Sequence, residues 1–331
     1  MRERITIKEV AARAGVGTMT VSRVLNSSGR VAPAMRLRVQ KVIDELGYVP
    51  NQVARGLRLG RTGTLALLVT DITNPFFTSI ARGAEDAASD GGSLLLVCNT
   101  DEDEDEELRY MRMLIEKQVD GVLLVPARKG TASIRLALEN RVGVVVLDRA
   151  PEIAEVDVVR CDTGQGAYEL GRLLVEKGHR SFGVLAGPLG VPTSDERVAG
   201  FVKALTDSGL NDSPAVQYGA YTQEAGEQMA KILVESGNLP TAIFAANNFI
   251  ALGALSEFMR RGIRVPEDVA VVGFDDLPAS LTPFLTIVAQ PAYDMGRTAV
   301  ELLFARLKSN EKPEPKQILL PCQMVVRRSS G

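Results

Sequence analysis

Apolar positions follow two rhythms along the chain, and the change comes near Arg61. Before it they recur every three or four residues in short segments; after it compact apolar runs alternate with amphipathic stretches. In the first part, Thr6 and Glu9 of Thr-Ile-Lys-Glu form a capping-box pattern, and Ile7, Val10 and Ala11 follow on one helical face. Gly15 permits a sharp turn, and a second helix is expected from Thr18 to Leu25, with Val21, Val24 and Leu25 as its stripe. A third is expected from Pro33 to Leu46, where Val39, Val42, Ile43 and Leu46 repeat and Gly47 ends the pattern. Pro33 suits a first helical position, whereas Ala32 is a poor cap. Two helices joined by a tight glycine turn and backed by a third make a helix-turn-helix head.

Beyond Arg61 the expected strands are LALLV (65–69), SLLLV (93–97), GVLLV (121–125), VVVLD (144–148), SFGVLA (181–186), AIFAA (242–246) and VAVVGF (269–274). Helices are expected between them at 77–89, 106–117, 165–177, 196–208, 225–236 and 249–261. Near-continuous apolar strands belong to a parallel sheet covered on both faces, and right-handed strand-helix-strand units make such sheets doubly wound. The length is too great for one open sheet, so the expected fold is an α/β core of two similar lobes with a cleft between them. Ligands of such sheets sit at the carboxyl ends of strands. That rule singles out 71–77, Asp148 and Arg149, 188–197, Asn247 and Asn248, and Asp275 and Asp276.

Charge sharpens the division. The net charge of −3 conceals 12 Lys+Arg against 4 Asp+Glu in residues 1–61, and 26 against 37 in the rest. A head of net +8 on a body of net −11 points to a polyanion partner for the head alone. Cys98, Cys161 and Cys322 lack Cys-x-x-Cys spacing, so neither a disulfide framework nor a zinc site is indicated; no metal and no cofactor are expected. MRERITIKEV carries charges where a signal peptide needs an apolar run, and no stretch approaches 18 apolar residues. A cytoplasmic protein without a membrane partner is expected. The acidic run at 101–107 precedes an expected helix and reads as helix-terminal charge on a wet surface rather than as a metal site. His179, the only histidine, reads as a turn residue, and without a Gly-x-Ser-x-Gly elbow a Ser-His-Asp hydrolase is not indicated. There is no GxxxxGK[ST] loop of a P-loop NTPase either.

In a helix-turn-helix the second helix enters the major groove by its N-terminal end. Thr18 and Met19 occupy that end; Thr20, Ser22 and Asn26 can donate to phosphates, and Arg23 can reach a guanine edge or the backbone. The stretches IKEVAARAGVGTMTVSRVLN (7–26) and LGYVPNQVARGL (46–57) carry a wider resemblance. With NPFF (74–77), VDGVLL (119–124), GHR (178–180), AGP (186–188), ERVAGF (196–201), PTAIFAANN (240–248), GFDD (273–276) and MVVR (324–327), they run in order along the chain. The sequence resembles bacterial transcription repressors of the lactose and galactose repressor (LacI) type over essentially its whole length.

That resemblance implies that Thr18 and Met19 chiefly select the operator, with Arg23 in support and Thr6 also at the DNA. It implies a hinge helix over Asn51 to Leu59 that forms on operator DNA in the minor groove, with Asn51, Val53 and Ala54 at the contact and Leu57 as an apolar wedge. So short a segment falls below the ~12–15 residues that make a helix marginally stable in water, and Gly56 lowers its stability further. An ordinary interdomain linker is the alternative. In the core, the resemblance implies that Asp148, Arg197, Asn247 and Asp275 line an effector cleft, that Tyr221, Phe76 and Phe77 form its walls, and that Gln290 lies near a crossover between the lobes. A ligand rich in hydroxyls suits such a polar set, because each hydroxyl both donates and accepts. Arg149 follows Asp148, and two cleft arginines favour an acidic or phosphorylated sugar over a neutral one.

The expected layout is a DNA-binding head at 1–49, a hinge at 50–61 and a core at 62–331 resembling periplasmic sugar-binding proteins. Its N-lobe covers about 62–161 and 292–322, its C-lobe about 162–291 and 323–331. The expected function is that of a ligand-responsive regulator, a repressor of carbohydrate-use genes, binding a pseudo-palindromic operator as a homodimer and a sugar or sugar derivative in the cleft. The end of the chain after MVVRR lacks the heptad helix that makes some relatives tetrameric. A sugar-binding protein of a transport system and a sugar-modifying enzyme are the alternatives. The missing signal peptide and the basic head count against the first, and the lack of a nucleotide loop or catalytic pair against the second.

Overall fold

The computed structural model describes residues 5–25, 29–48, 61–210, 212–276, 284–309 and 314–331. Helices α1 (Ile7–Ala14), α2 (Thr18–Leu25) and α3 (Pro33–Leu46) lie in a unit spanning Met1–Thr62, and the rest of the chain forms a second unit. The capping box is complete: the Thr6 amide donates to the Glu9 carboxylate at 2.6 Å and the Glu9 amide to Thr6 Oγ1 at 3.4 Å. Gly15 takes the left-handed conformation at φ 63° that ends α1, turning the chain into α2. As expected, Ala32 provides no side-chain cap to α3. Val10, Ala11 and Ala14 of α1, Val21 and Val24 of α2, and Val39, Val42 and Ile43 of α3 close one small core.

The larger unit begins with β1 (Thr64–Val69), α4 (Pro75–Asp90), β2 (Leu94–Asn99), α5 (Glu104–Glu116), β3 (Gly121–Leu124), α6 (Thr131–Glu139), β4 (Gly143–Leu147) and β5 (Asp157–Cys161). A second lobe follows with α7 (Thr163–Glu176), β6 (Phe182–Ala186), α8 (Pro192–Asp207), β7 (Ala215–Tyr218), α9 (Gln223–Glu235), β8 (Ala242–Ala245), α10 (Asn248–Arg260), β9 (Ala270–Phe274) and β10 (Thr286–Ala289). Helix α11 (Ala292–Lys308) and β11 (Gln317–Leu320) then return to the first lobe, and β12 (Gln323–Val325) to the second. The chain thus passes between the lobes three times.

Among the described residues both sheets have six strands, in the orders β11-β5-β4-β3-β1-β2 and β12-β10-β9-β8-β6-β7, and every pairing is parallel except that of β12 with β10. Each is a doubly wound sheet whose order reverses beside its first strand, where such sheets leave a crevice. Alternation along β1 sends Leu65, Leu67 and Val69 to one face and Ala66 and Leu68 to the other, and each face has its own buried cluster. The second lobe repeats this, with Phe244 and Val272 on one face of its sheet and Ile243 and Val271 on the other.

Several expectations change. The helices start earlier than their apolar stripes suggest. Helix α4 begins at Pro75 under an Asn74 cap and α8 at Pro192, because proline's fixed φ and missing N–H suit the first turn. Strands β5, β7, β10, β11 and β12 and helices α6 and α11 come in addition to the expected elements. Strand β2 is not covered on both faces: it is a sheet edge, with Leu94 62%, Leu96 37% and Val97 43% exposed. The acidic run is only partly a wet surface. Asp103 caps α5 as expected, but Glu107 is buried, accepting from the Ala127 amide and the Ser133 hydroxyl, and burial pushes its carboxyl up to about 7.

Helix α4, whose N-terminus reaches the crevice, is held against α11 at Gly83 and Gly296. A Cβ at Gly83 would collide with the Tyr293 carbonyl, and one at Gly296 with that of Ile80. Backbone cannot move aside as a side-chain tip can. Gly83→Ala is therefore expected to lower unfolding stability by about 1–3 kcal/mol, measured by urea denaturation; an unchanged midpoint would show that the two helices part without strain.

Candidate functional site

Between the lobes lies a cavity of about 310 Å³, walled almost entirely by residues just beyond strand ends. From the first lobe come Thr70 and Asp71 after β1, Asp101 and Glu102 after β2, Asp148 and Arg149 after β4, and Asn74, Phe76 and Phe77 at the start of α4. From the second come Thr193 and Arg197 of α8, Tyr221 and Thr222 after β7, Asn247 and Asn248 after β8, Asp275 after β9 and Gln290 after β10. All nine residues singled out in the sequence for the cleft, Phe76, Phe77, Asp148, Arg149, Arg197, Tyr221, Asn247, Asp275 and Gln290, meet here.

Asp148 and Asp275 follow the fourth strands of their sheets, and each is a non-glycine residue in the left-handed region, at φ 67° and 58°. Aspartate tolerates that conformation better than most residues, yet it is kept only where surroundings enforce it. Burial raises both carboxyls above their ordinary range. For Asp275 the rise reaches about 6, opposed by the charge of Arg197 and by hydrogen bonds from Gln290 Nε2 at 2.8 Å and the Gln290 amide at 3.2 Å. Arg197 donates to the Ala246 carbonyl at 2.6 Å, with its guanidinium 4.1 Å from the centre of the Phe274 ring. Phe76 and Phe77 meet edge to face at 5.1 Å, and the Tyr221 hydroxyl lies 3.3 Å from that of Thr193. Asn247 caps α10 by accepting from the Ile250 amide at 2.8 Å.

Arg149 is not a free cation. It forms a forked pair with Glu102 at 2.6 and 2.5 Å and donates to the Pro126 carbonyl at 2.7 Å. Glu102, read from the sequence as part of a solvated run, is thereby a cleft residue. The strand-end rule applied to β2 would have found it. Two further residues matter more than their neighbours suggested. Asn74 and Asn248 exchange reciprocal amide hydrogen bonds of 3.0 and 3.1 Å across the cleft, both buried. Asp276 is engaged outside the site by Arg327, and His179 pairs with Thr241 at 3.1 Å.

Among the described residues, six buried side-chain polar atoms have no partner, and five belong to residues of this cavity: Thr70 Oγ1, Asp148 Oδ1, Arg149 Nε, Arg197 Nε and Gln290 Oε1. Leaving a buried polar atom unmade costs about 1–3 kcal/mol. Five in one place describe a surface prepared for something polar. No group of three His, Cys, Asp or Glu among the described residues could hold a metal ion, and no described helix is long and apolar enough to cross a membrane.

In the head, Thr18, Met19 and Arg23 are exposed at α2, Met19 by 69%, while Thr20 and Ser22 are half-buried. Arg23 Nη2 lies 3.8 Å from Met19 Sδ, one turn apart on the same face. Thr6 is exposed at the start of α1. Asn26, Asn51, Val53, Ala54 and Leu57 lie outside the described residues.

Residues 6–51 match the family described as bacterial regulatory proteins, lacI family, and residues 172–330 match a periplasmic binding protein-like domain. Over 98% of both chains, the sequence is 37% identical to the HTH-type transcriptional repressor PurR of Aliivibrio fischeri (strain MJ11). The chain belongs to the LacI family. Among solved structures, this LacI-family protein is similar to the transcriptional regulator CelR in complex with cellobiose, at 35% identity and a TM-score of 0.75 over 98% of this chain and 100% of that one. It is also similar to the Lac repressor dimer bound to operator and the anti-inducer ONPF, at 26% identity and a TM-score of 0.89 over 99% of each. It is a ligand-responsive, DNA-binding transcriptional regulator with a helix-turn-helix head and two parallel-sheet lobes.

The raised carboxyl of Asp275 has a measurable consequence. The folded protein holds this proton more tightly than the unfolded chain, so its stabilising contribution is complete below pH 3.8 and lost as pH rises through about 6. Asp275→Asn keeps the shape and tolerates the left-handed backbone. Its stability relative to wild type is expected to rise between pH 4 and 7, by about 3 kcal/mol at most, in urea unfolding at a series of pH values. A difference independent of pH would show that Asp275 is ionised throughout.

Proposed function

We propose that the protein represses carbohydrate-use genes by binding a pseudo-palindromic operator as a homodimer, and that an uncharged sugar or sugar-like polyol seated between the lobes changes its operator affinity. The five unpartnered polar atoms around the cavity carry the ligand part of this reading, since hydroxyls supply both donors and acceptors to such a set. The cavity volume of about 310 Å³ is ample for a small sugar. The similarity to CelR with cellobiose adds support. Asp148, Arg197, Asn247, Asp275 and Gln290 are assigned to the ligand's polar groups, and Phe76, Phe77 and Tyr221 to its apolar faces. The cleft binds its ligand without transforming it, and the protein acts in the cytoplasm.

In the head, Thr18 and Met19 are assigned to base edges, Arg23, Thr20, Ser22, Thr6 and Asn26 to supporting and phosphate contacts, and 50–61 to a hinge. Within it Asn51, Val53 and Ala54 meet the minor groove and Leu57 is the wedge. The partner subunit is assigned to the uncovered β2 edge, because Leu94 and Leu96 on one face of that strand and Val97 on the other are exposed in the described chain. Leu96→Asp is expected to yield monomers in sedimentation or light scattering at concentrations where wild type is dimeric; an unchanged mass would move the interface elsewhere.

Selection of genomic fragments by the purified protein at fixed moderate salt tests the reading as a whole. Enrichment of one pseudo-palindrome beside sugar-use genes is expected, and enrichment of none, with or without a panel of sugars, would refute it. Arg197→Ala is expected to leave operator affinity within about twofold while reducing the ligand's effect on it by at least about tenfold, or 1.4 kcal/mol of coupling. Normal induction in that variant would place the ligand elsewhere.

A further inference from the structure

Among the described residues the cleft has two guanidinium groups, and only the one in the second lobe stands apart from a forked carboxylate partner. We propose that Glu102 is a specificity-determining residue of the cleft: by closing Arg149 into an ion pair, it denies the site a cation and makes it refuse anionic ligands while admitting uncharged ones. This deepens the preceding assignment of the cavity as a ligand site and rests on it.

The geometry is specific. Arg149 is 2% exposed, and both of its terminal nitrogens are bonded to the Glu102 carboxylate, with one of them also on the Pro126 carbonyl. Its remaining nitrogen, Nε, is 3.7 Å from Asp148 and has no hydrogen-bond acceptor. Arginine reads carboxylate and phosphate through two parallel donors, and here Glu102 already takes that fork. A ligand anion would have to displace it.

Backbone conformation shows that Glu102 is held in place. Asp101 and Glu102 occupy the left-handed region in succession, at φ 50° and 60°. Asn99 Nδ2 donates to the Asp101 carboxylate at 2.5 Å, and Asp103, the next residue, caps α5. Two consecutive non-glycine residues in that region are a cost that a merely solvated acidic run has no reason to carry.

The rest of the cleft offers an anion no better reception. Arg197 stands among Asp148 and Asp275, whose charges it offsets. Four helix N-termini border the cavity, where a phosphate would otherwise settle. Three have a side-chain cap: Asn74 to the Phe76 amide, Thr222 to the Ala225 amide and Asn247 to the Ile250 amide. The fourth, α8, has none, but it opens on Pro192, which carries no N–H, its Ser194 and Asp195 amides donate to the Val191 carbonyl, and Asp195 puts an acidic side chain in its first turn. With Asp71 and Asp101 also on the wall, carboxylates outnumber guanidiniums at the cavity by five to two. Replacing Glu102 alters the one guanidinium whose two terminal nitrogens are held by a single carboxylate.

The experiment uses the full-length protein and inorganic phosphate as probe, read by calorimetry at constant ionic strength. Wild type is expected to show no saturable heat up to about 10 mM phosphate, and Glu102→Gln to bind at least about tenfold more tightly. The double variant Glu102→Gln with Arg149→Gln is expected to lose that gain, which separates the cleft from adventitious surface binding. Saturable phosphate binding by wild type would overturn the proposal without any variant. So would a folded Glu102→Gln protein, checked by circular dichroism, that gains nothing, or a double variant that keeps the gain. Operator selection by the same preparations tells the two readings apart. A protein that selects no operator fails as a regulator while the phosphate comparison still stands, and one that selects its operator but shows no gain fails only here.

Discussion

Everything at the cleft depends on how the two lobes meet: a pair of carboxamides joins them across the cleft, and Arg160 of the first lobe pairs with Glu196 of the second at 3.0 Å. Asn74 caps α4 in the first lobe; Asn248 begins α10 in the second and also donates to the Asp276 carbonyl beyond β9. Their reciprocal hydrogen bonds tie two helix starts and a strand end into one arrangement. An uncharged pair parts at less cost than a buried charged one. Breaking a buried ion pair leaves uncompensated charge, whereas two amides that part can each hydrogen-bond water. The three crossings of the chain and the Arg160–Glu196 ion pair hold the lobes together, and the amide pair ties them across the cleft.

Against that frame the cleft keeps its polar groups under strain and short of partners. Two carboxylates sit in a backbone conformation that side chains avoid, with protons held more tightly than usual, and two guanidinium nitrogens lack acceptors. The unpartnered atoms belong to both lobes, so on the proposed reading a ligand that touches both is the one that satisfies most of them. Any closure that the ligand favours and operator-bound protein disfavours then couples the two binding events with equal strength in both directions.

Much of this was legible in the sequence because strand ends are fixed by chain geometry. Asp148, Arg197, Asn247 and Asp275 each follow an expected apolar run or lie on the helix after one, so topology assembles them, whereas Gln290 follows β10, a strand not expected from the sequence, and was named only by the family resemblance. Glu107 was not legible as an interior residue, and Glu102, which its place just beyond β2 could have flagged, was read with the acidic run instead. An acid in an acidic run looks the same whether it faces water or a buried arginine, and the partner that decides the matter, Arg149, is 47 residues away. Strand β2 failed in the opposite sense, since an apolar run looks alike at a covered position and at a bare edge. Strands such as β5, DVVRC, carry charges within five residues and so lack the continuous run by which their neighbours were found. The Asn74–Asn248 contact needed the fold itself, because nothing local marks two asparagines as partners.

Asp148 and Asp275 follow equivalent strands of two sheets with the same winding order, and both bend into the same rare backbone shape. The site is thus one structural solution written twice in a single chain and turned to face itself. Each lobe supplies half of a receptor, complete in topology and incomplete in chemistry. A ligand is recognised at the moment it makes the two copies agree, and sensing is a property of their relation rather than of either lobe.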